Sequence, residues 1–486
     1  MRHILFLDDG DLASMRGLTR EVHPAQKYAG NPVLVADQPW EQNLLMGGTV
    51  RLEPDRRYRM WYQNYGPHAY LLNPGYILRV ARPPELYRNQ GPTAHLLNLY
   101  AESEDGIHWT KPFLGQYEDA RGSRQNNIFL SRLALRCNYL RPPEVNQDVC
   151  PNVLFTPHLG PECTYTLISH DCGLSGYGPY DGYFLAFSSD GLRWRDGPER
   201  PVIPSHGDAG WFTFDEVDRK FRGIVQTFLP DVKGRFRRAV MSTQSNDGYE
   251  WTLPRPAILP DTEDETWTQG CSECHTQFYG MPIARYESVF VGLLQVFRVT
   301  SAMSPDHDGE IDVQLTCSRD GRRWSRVGNR RAILELGPAG AWDAGMVLTG
   351  NSLVVQENRV LVYYTGWDNT HSKPGNARIG MAWWRRDRLA GLRGPAEGGE
   401  LLTTFHIAGS RLHVNADASG GELSVELVGH GESVIEGYDS AACERLRQDT
   451  LDHVFQWPSA SSNLSGRSLA VRLRLRDAEV FSLWWD

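Results

Sequence analysis

The stretch SEDGIHW, residues 103–109, occurs in related form at three further places in this 486-residue chain. The other copies are SSDGLRW (188–194), SNDGYEW (245–251) and SRDGRRW (318–324). All four share the pattern S-x-D-G-x-x-W, and successive copies start 85, 57 and 73 residues apart. Self-similarity at a spacing of this order is typical of a repeat architecture.

Each copy of the pattern has the chemistry of a tight turn. Ser and Asp side chains accept hydrogen bonds from backbone amides just ahead of them, and Gly supplies a positive φ. The Trp then begins the next strand and packs between sheets. We interpret the pattern as a hairpin turn between the outer strands of a repeated sheet, so its aspartates are scaffold residues and not catalysts.

Five segments of alternating and apolar residues lie between and around these turns, and several of them contain a hairpin tip such as EPDRR or QENR. Each unit therefore comprises four strands. Five such units predict an all-β protein with a five-bladed β-propeller over residues 1–398. The fifth unit has only a degenerate turn near MAWWRRDRLAGL. We expect its ring to be closed by a strand from the N-terminal HILFLD.

The pattern changes after residue 398. Segments such as GGELLTTFHIAGSRLHVNADASGGELSVELVG alternate with a strict period of two and are separated by Gly-rich turns. This predicts a small β-sandwich over residues 399–486. Such a module either braces the propeller or binds carbohydrate.

Composition excludes several classes of function. The net charge is −9 and no long run of Lys or Arg occurs, which argues against nucleic-acid binding. No stretch has the roughly 20 apolar residues that a membrane span needs. The apolar run before Asp8 is too short for a signal peptide, so we expect a cytoplasmic protein. Fifteen Trp and twenty Tyr suit packed sheets, and they also suit stacking on sugar rings.

A carboxylate lies at the start of the inner strand in every predicted blade. These acids are Glu41, Asp148, Asp208, Glu273 and Asp343. Carboxylates gathered around one channel mouth repel one another, so their presence costs stability and favours a functional explanation. A pair of carboxylates cleaves a glycosidic bond when one donates a proton and the other acts as nucleophile or base. We predict Glu41, Asp208, Glu273 and Asp343 as catalytic residues.

Polar and aromatic residues accompany these acids, as a sugar subsite requires. The predicted substrate-binding residues are Asp148, Trp211, His275, Gln277, Tyr279, Trp342, Trp367, Asp368 and His371, with Trp40 beside the first acid. No cofactor is predicted. A divalent metal at the mouth is an open alternative, either Ca²⁺ on carboxylates or Zn²⁺ on His and Asp.

The stretch Cys271-Ser-Glu-Cys274-His275 matches the C-x-x-C-H pattern of haem attachment and half of a zinc clip. A zinc clip needs a second pair of ligands, and the chain has no other C-x-x-C. We therefore interpret the two cysteines as reduced packing residues that flank Glu273 and His275.

The chain resembles the five-bladed propeller glycoside hydrolases of the invertase, levansucrase and arabinanase superfamily. More closely, it resembles bacterial "glycosyl hydrolase family 32 N-terminal-like" proteins. The segments that carry this resemblance are LFLDD, YAESEDGIHWTKP, QNNIFL, FYGMPIARYESVFVGLL, DVQLTCSRDGRRW, WDAGMV, NADASGGELSVEL and LRLRDAEVFSLWW. The resemblance implies Glu41 as nucleophile or base, Asp208 as stabiliser and Glu273 or Asp343 as proton donor. The chain departs from invertases in lacking W-x-N-D-P-N and R-D-P, and Gln277 stands where the closer group has an Asp.

Three functions follow as hypotheses. The first is a glycoside hydrolase or transglycosylase that acts on a small glycoside or oligosaccharide. The second is a lyase, cyclase or isomerase acting on a sugar-like or natural-product substrate, which Gln277 and the nearby histidines motivate. The third is a carbohydrate-binding propeller without catalysis.

Overall fold

The computed structural model describes residues 3–65, 97–119, 121–130, 149–171, 182–205, 207, 209–231, 234–301, 307–431, 433–458 and 464–486. The described chain is all-β, as predicted. Its only helical turns are three short 3-10 segments, Pro157–Leu159, Pro161–Cys163 and Thr266–Thr268. Among the described residues, no helix has the length and apolar character needed to cross a bilayer.

Five antiparallel blades follow one another, and in the first four the chain runs from the innermost strand outwards. The first blade comprises Asn43–Leu52, Tyr58–Tyr65, Leu97–Ser103 and Ile128–Leu130. The second comprises Val149–Phe155, Tyr165–Asp171, Gly182–Ser188 and the short pair Arg195–Asp196 and Ile203–Pro204. The third comprises Gly210–Asp215, Lys220–Pro230, Phe236–Ser245 and Arg255–Ile258.

The inner strand of the fourth blade is interrupted, and the fourth strand of the fifth blade comes from a distant part of the chain. The fourth blade comprises His275–Gly280 with Ile283–Tyr286, Val289–Ser301, Asp308–Ser318 and the short strands Ser325–Arg326 and Ala332–Leu334. The fifth comprises Met346–Val355, Arg359–Trp367, Ala377–Arg385 and Gln26–Lys27.

The inner strands contact one another in cyclic order, so the blades form a propeller-like ring. A cavity of about 340 Å³ lies at one end of the central channel, at the C-terminal halves of these strands. It is lined by residues of all five blades, among them Thr49, Val153, Thr213, Ile283 and Asn351. Apolar cores fill the spaces between neighbouring blades.

The four S-x-D-G-x-x-W turns lie between the third and fourth strands of blades one to four, which confirms their structural interpretation. In the first, Asp105 Oδ1 accepts hydrogen bonds from the amides of Ile107 and His108, both at 2.8 Å. Ser103 Oγ accepts the amide of Gly106, whose φ is +77°. The other three copies repeat these bonds.

The predicted ring closure through HILFLD is wrong. His3–Leu5 pairs with Ala478–Trp485 in a C-terminal sheet, and the fifth blade is completed by Gln26–Lys27. The physical reason is that the N-terminal segment is apolar on both faces. Ile4 and Phe6 enter the C-terminal core, while Leu5 and Leu7 enter the core between blades four and five.

Two further antiparallel sheets contain the C-terminal residues and share one apolar core. Their strands after the fifth blade are Ala390–Gly394, Gly399–Thr403, His406–Ile407, Leu412–Asp417, Glu422–Val428, Asp449–Val454, Ser468–Arg476 and Ala478–Trp485. The predicted boundary at 398/399 does not coincide with these sheets. They also include Ala390–Gly394 and the N-terminal strands His3–Leu5, Leu12–Arg16 and Thr19–Val22.

A buried hydrogen-bonded group joins the ring to these sheets. Asp387 is 2% exposed and accepts hydrogen bonds from His3 Nε2 at 2.8 Å and Ser482 Oγ at 2.6 Å. It also accepts one from the hydroxyl of Tyr286 in the fourth blade. Because a buried carboxylate needs such partners, this contact ties the two parts of the molecule together.

Candidate functional site

The inner strand of the fourth blade places three predicted residues on one face. His275, Gln277 and Tyr279 alternate along His275–Gly280, so their side chains share a side. Phe278 points the other way into the apolar core between blades three and four. His275 and Gln277 are buried, while Tyr279 keeps part of its surface exposed.

Gln277 links two imidazoles. Its Nε2 lies 2.9 Å from His275 Nε2 and 2.6 Å from His307 Nδ1. An amide nitrogen has only donors, so both ring nitrogens must accept. The proton of His275 is then on Nδ1, which donates to the carbonyl of Glu273 at 2.8 Å. Both rings are therefore held as neutral tautomers.

His371 joins the same group from the fifth blade. Its Nδ1 donates to the carbonyl oxygen of His307 at 2.9 Å, and its Nε2 accepts from the Tyr279 hydroxyl at 3.4 Å. Its ring also packs at 4.8 Å from that of Phe297. We call His275, Gln277, Tyr279, His307 and His371 the histidine cluster.

One arginine adjoins the histidine cluster from the third blade. Arg238 donates from a guanidinium NH to Gln277 Oε1 at 3.1 Å, which fixes the orientation of the amide. Its guanidinium lies over the rings of Tyr279, Phe228 and Phe297, at 5.3, 5.4 and 5.9 Å from their centroids.

Burial keeps the imidazoles of the cluster uncharged. Together with the positive charge of Arg238, it lowers the pKa of His307 to about 4 and that of His371 to about 3. The pKa of His275 is lowered by the same desolvation. At neutral pH these rings act as hydrogen-bonding groups and not as cations.

The structure places Glu41 in an enclosed ion pair. Its side chain has no exposed surface, and its carboxylate accepts hydrogen bonds from Lys111 Nζ at 2.6 Å and the Tyr62 hydroxyl at 2.8 Å. Burial raises the pKa of Glu41, and Lys111 opposes that rise. Nothing links Glu41 to the histidine cluster within the described chain.

Asp343, in the fifth blade, also accepts hydrogen bonds from one lysine and one tyrosine. Its Oδ2 accepts from Lys27 Nζ at 2.6 Å and from the Tyr364 hydroxyl at 3.1 Å. The Trp342 ring stacks on Tyr364 at 5.6 Å. Both predicted acids are thus held by one lysine and one tyrosine, an arrangement we call the Lys–Tyr clamp.

Of the other predicted acids, Glu273 is exposed beside the histidine cluster, two residues before His275. Asp148 and Asp208 lie outside the described residues. The five acids are therefore not shown as one group around the channel mouth.

Three other predicted residues, Trp211, Trp367 and Asp368, have no described contact with the histidine cluster through a hydrogen bond. Trp211 is 3% exposed and lies against Gly280, where an added Cβ would come within 1.9 Å of the indole. Trp367 belongs to the apolar group of Phe297 beneath the cluster. Asp368 lies in an exposed loop, where it accepts two hydrogen bonds from Asn376.

No protein-family model matches the chain, and no curated protein is similar to it in sequence. Solved structures with a similar arrangement include glycoside hydrolases, a phosphorylase and a deacetylase. A glycosyl hydrolase from Bacteroides ovatus is 11% identical with a TM-score of 0.49, over 76% of this chain and 95% of that chain. The β-1,2-mannobiose phosphorylase of Listeria innocua is 12% identical with a TM-score of 0.46, over 74% and 96%. An N-acetylgalactosamine deacetylase from F. plautii, bound to blood group B trisaccharide, is 15% identical with a TM-score of 0.46, over 77% and 96%.

The interpretation of Cys271 and Cys274 as unpaired packing residues is wrong, because the two form a disulfide. The bond closes a loop of four residues, and the amide of Cys274 also donates to Cys271 Sγ at 3.2 Å. Both cysteines are partly exposed, immediately before the histidine cluster. The C-x-x-C pattern thus shapes the loop that carries Glu273.

A divalent metal at the channel mouth would need several side-chain ligands close together. Among the described residues, no three or more His, Cys, Asp or Glu side chains are grouped so that they could hold an ion. The amide of Gln277 occupies the space between the acceptor nitrogens of His275 and His307.

Two members of the site were missed in the sequence. His307 follows the sequence AMSPD, which lacks the alternation of a strand, so no sequence pattern marked this histidine. Arg238 lies in RFRRAV, where three arginines interrupt an alternating strand. That concentration of charge in a strand was a usable signal, because such residues are normally excluded from a packed sheet unless they have partners.

Proposed function

We propose that the protein is a carbohydrate-active enzyme, a glycoside hydrolase or transglycosylase, that binds its sugar at the histidine cluster. The observation that carries this is the combination of neutral hydrogen-bonding groups with the rings of Tyr279 and Phe228, both of which keep exposed surface. Sugar hydroxyls both donate and accept, and they match the partly exposed imidazole of His307 and phenol of Tyr279. Rings such as Tyr279 and Phe228 suit the apolar faces of a sugar.

Glu273 is our principal candidate for a catalytic carboxylate. It is exposed next to the cluster, whereas the side chain of Glu41 has no exposed surface and that of Asp343 has 4%. A group that transfers a proton to substrate must reach it. We propose Asp208 as the second carboxylate on the sequence alone. We further propose that Glu41 and Asp343 act by holding their strands.

The test is a hydrolysis assay on a panel of 4-nitrophenyl glycosides and small oligosaccharides, with reducing-sugar detection. For the best substrate of that panel, Glu273→Gln should lower kcat by about 10²-fold or more with an unchanged Tm. Glu310→Gln is the matched control, since Glu310 is an exposed glutamate of the same blade. Full activity of E273Q on a substrate that the native protein cleaves would show that Glu273 is not catalytic.

A lyase or isomerase is the second candidate, and the His371–Tyr279 contact favours it. A neutral imidazole next to a phenol is a suitable pair for moving a proton on carbon. Product analysis separates the two functions. Hydrolysis yields products whose summed mass exceeds that of the substrate by one water, isomerisation leaves the mass unchanged, and eliminative cleavage yields two fragments whose masses sum to that of the substrate. Substrate bound without any product after long incubation would instead indicate a carbohydrate-binding protein.

We also propose that the C-terminal sheets form a β-sandwich that braces the ring. Their shared core and the buried contacts of Asp387 support this interpretation. The brace predicts that Asp387→Ala lowers the Tm while sugar binding at the distant cluster is retained.

A further inference from the structure

Three arginines of one hairpin differ in their charge partners. Arg235 binds Asp231 at 2.9 Å, and Arg237 binds both Asp231 and Glu265. Arg238, the next residue along the strand, makes no salt bridge within the part of the chain that the structure describes. Its one side-chain hydrogen bond to a described residue goes to the neutral Gln277.

Among the residues that the structure describes, none supplies a negative charge to Arg238. The groups that face it are the uncharged histidine cluster and the rings of Tyr279, Phe228 and Phe297. The three aromatic faces attract a cation, but they supply no acceptor oxygen. A guanidinium has five N–H donors in a fixed fork, and Gln277 accepts from one end of it.

Partial burial of the Arg238 charge costs free energy unless an anionic group binds to it. Arg238 is partly buried, so water solvates its charge less well than that of an exposed arginine. A half-buried guanidinium without a carboxylate partner is the usual recognition element for an anionic group, which it binds through two parallel hydrogen bonds. His307 can add one further donor to the same ligand, because its Nδ1 accepts from Gln277 and its proton is therefore on Nε2.

We propose that the site takes a sugar that carries an anionic group, namely a carboxylate or a sulfate or phosphate ester, and that Arg238 binds this group. This inference rests on the proposed function, because it assigns the substrate class of the same site. The rings of Phe228 and Tyr279 then flank the sugar next to its charged substituent. Phe228 faces Arg238 directly across the two paired strands.

The test compares charged and neutral sugars by isothermal titration calorimetry on the full-length protein. The probes are D-glucuronate, D-galacturonate, D-glucose 6-sulfate and D-glucose 6-phosphate, each against D-glucose or D-galactose. We expect at least one anionic probe to bind about tenfold or more tightly than its neutral counterpart, with an advantage that shrinks at high salt. Which probe binds distinguishes a carboxylate from a sulfate or phosphate ester.

Three variants assign the effect to Arg238. Arg238→Gln should abolish the preference for the anion, while Arg238→Lys should retain part of it because it keeps the charge and loses the fork. Arg235→Gln is the matched control, because its charge is already neutralised by Asp231. Tm measurements establish that each variant is folded.

The inference is overturned if no anionic probe is preferred, or if R238Q keeps the preference. Its failure can be separated from failure of the proposed function. Hydrolysis of neutral glycosides without anion selectivity would support the proposed enzyme activity and contradict the anionic substrate class. Selective binding of an anionic sugar with no turnover of any glycoside tested would support the anionic ligand and contradict the proposed enzyme activity.

Discussion

Glu41 and Asp343 hold equivalent positions in the first and fifth blades, since each accepts a hydrogen bond from the tyrosine that follows 21 residues later. Each also accepts one from a lysine supplied by another segment, at 2.6 Å. The same local sequence, Trp followed by an acid, therefore builds the same Lys–Tyr clamp twice. Its repetition at two blades favours a structural role for both carboxylates.

The two clamps should differ in their contribution to stability. Lys111 is 5% exposed and Lys27 is 28% exposed at the side chain. Removing one partner of a buried pair leaves an uncompensated charge and costs about 3 kcal/mol or more, and this cost falls where water reaches the pair, as it does at Lys27. We expect Lys111→Met to lower the free energy of unfolding in urea by about 3 kcal/mol, and Lys27→Met by clearly less.

A double variant checks the cause of that loss. Adding Glu41→Gln to Lys111→Met removes the orphaned charge, so part of the lost stability should return. An equal effect of the two lysine variants, or no recovery in the double variant, would contradict the clamp.

The cluster histidines should make the protein acid-sensitive between pH 6.5 and pH 4. The pKa values of His307 and His371 are lowered to about 4 and about 3, so the unfolded chain binds their protons first. Stability is therefore full above the unfolded pKa of about 6.5 and falls as the pH drops towards the folded values. By pH 5 each histidine should cost about 2 kcal/mol.

Denaturant unfolding at pH 7 and pH 5 measures this loss. His371→Gln should reduce the difference between the two pH values, since Gln does not titrate. His430→Gln is a control on an exposed ring of the C-terminal sheets, and it should leave the difference unchanged. The same pH dependence in H371Q and the native protein would show that His371 is not held neutral by the fold.

The aspartates of the repeated turns should matter for stability and not for catalysis. Asp247 Oδ1 accepts the amides of Tyr249 and Glu250 at 2.8 and 2.9 Å, and these bonds lower the pKa of Asp247. Asp247→Ala removes both acceptors and should cost about 1–2 kcal/mol in chemical denaturation. Asp247→Asn keeps an acceptor oxygen and should cost less.

Activity is the second readout for this turn. Once a substrate is known, D247A should keep the native kcat and KM at a temperature where it is folded. A selective loss of kcat would make the turn part of the catalytic machinery.

Gly280 should be required for the packing of Trp211. A Cβ at this position would lie 1.9 Å from one indole carbon of Trp211 and 2.3 Å from another. The indole must move to relieve this overlap, which should cost about 1–3 kcal/mol. We expect Gly280→Ala to lower the Tm and to shift the tryptophan emission.

Gly270→Ala is the comparison variant, because no atom lies near the methyl group that it adds. Its φ of +81° is unfavourable for alanine, so any loss of stability in this variant arises without contact with Trp211. The variant should leave the emission unchanged. An unaltered spectrum and Tm in G280A would show that Trp211 has room to adapt.

The sequence by itself determined the repeat and the elements that follow from local chemistry. A turn made of Ser, Asp and Gly needs only neighbouring backbone groups, so its four copies, the all-β class and the strands between them could be predicted. The alternation that groups His275, Gln277 and Tyr279 is equally local, because a strand has a period of two.

Only the tertiary structure decided which distant residues meet. The lysines that enclose Glu41 and Asp343 come from positions 70 and 316 residues away, and no local pattern marks them. The strand HILFLD could enter two cores, and its pairing with the C-terminal strand depends on both being present. Arg238 likewise differs from Arg235 and Arg237 only through the partners that folding brings to each, because the energy of a charge is set by its surroundings in space.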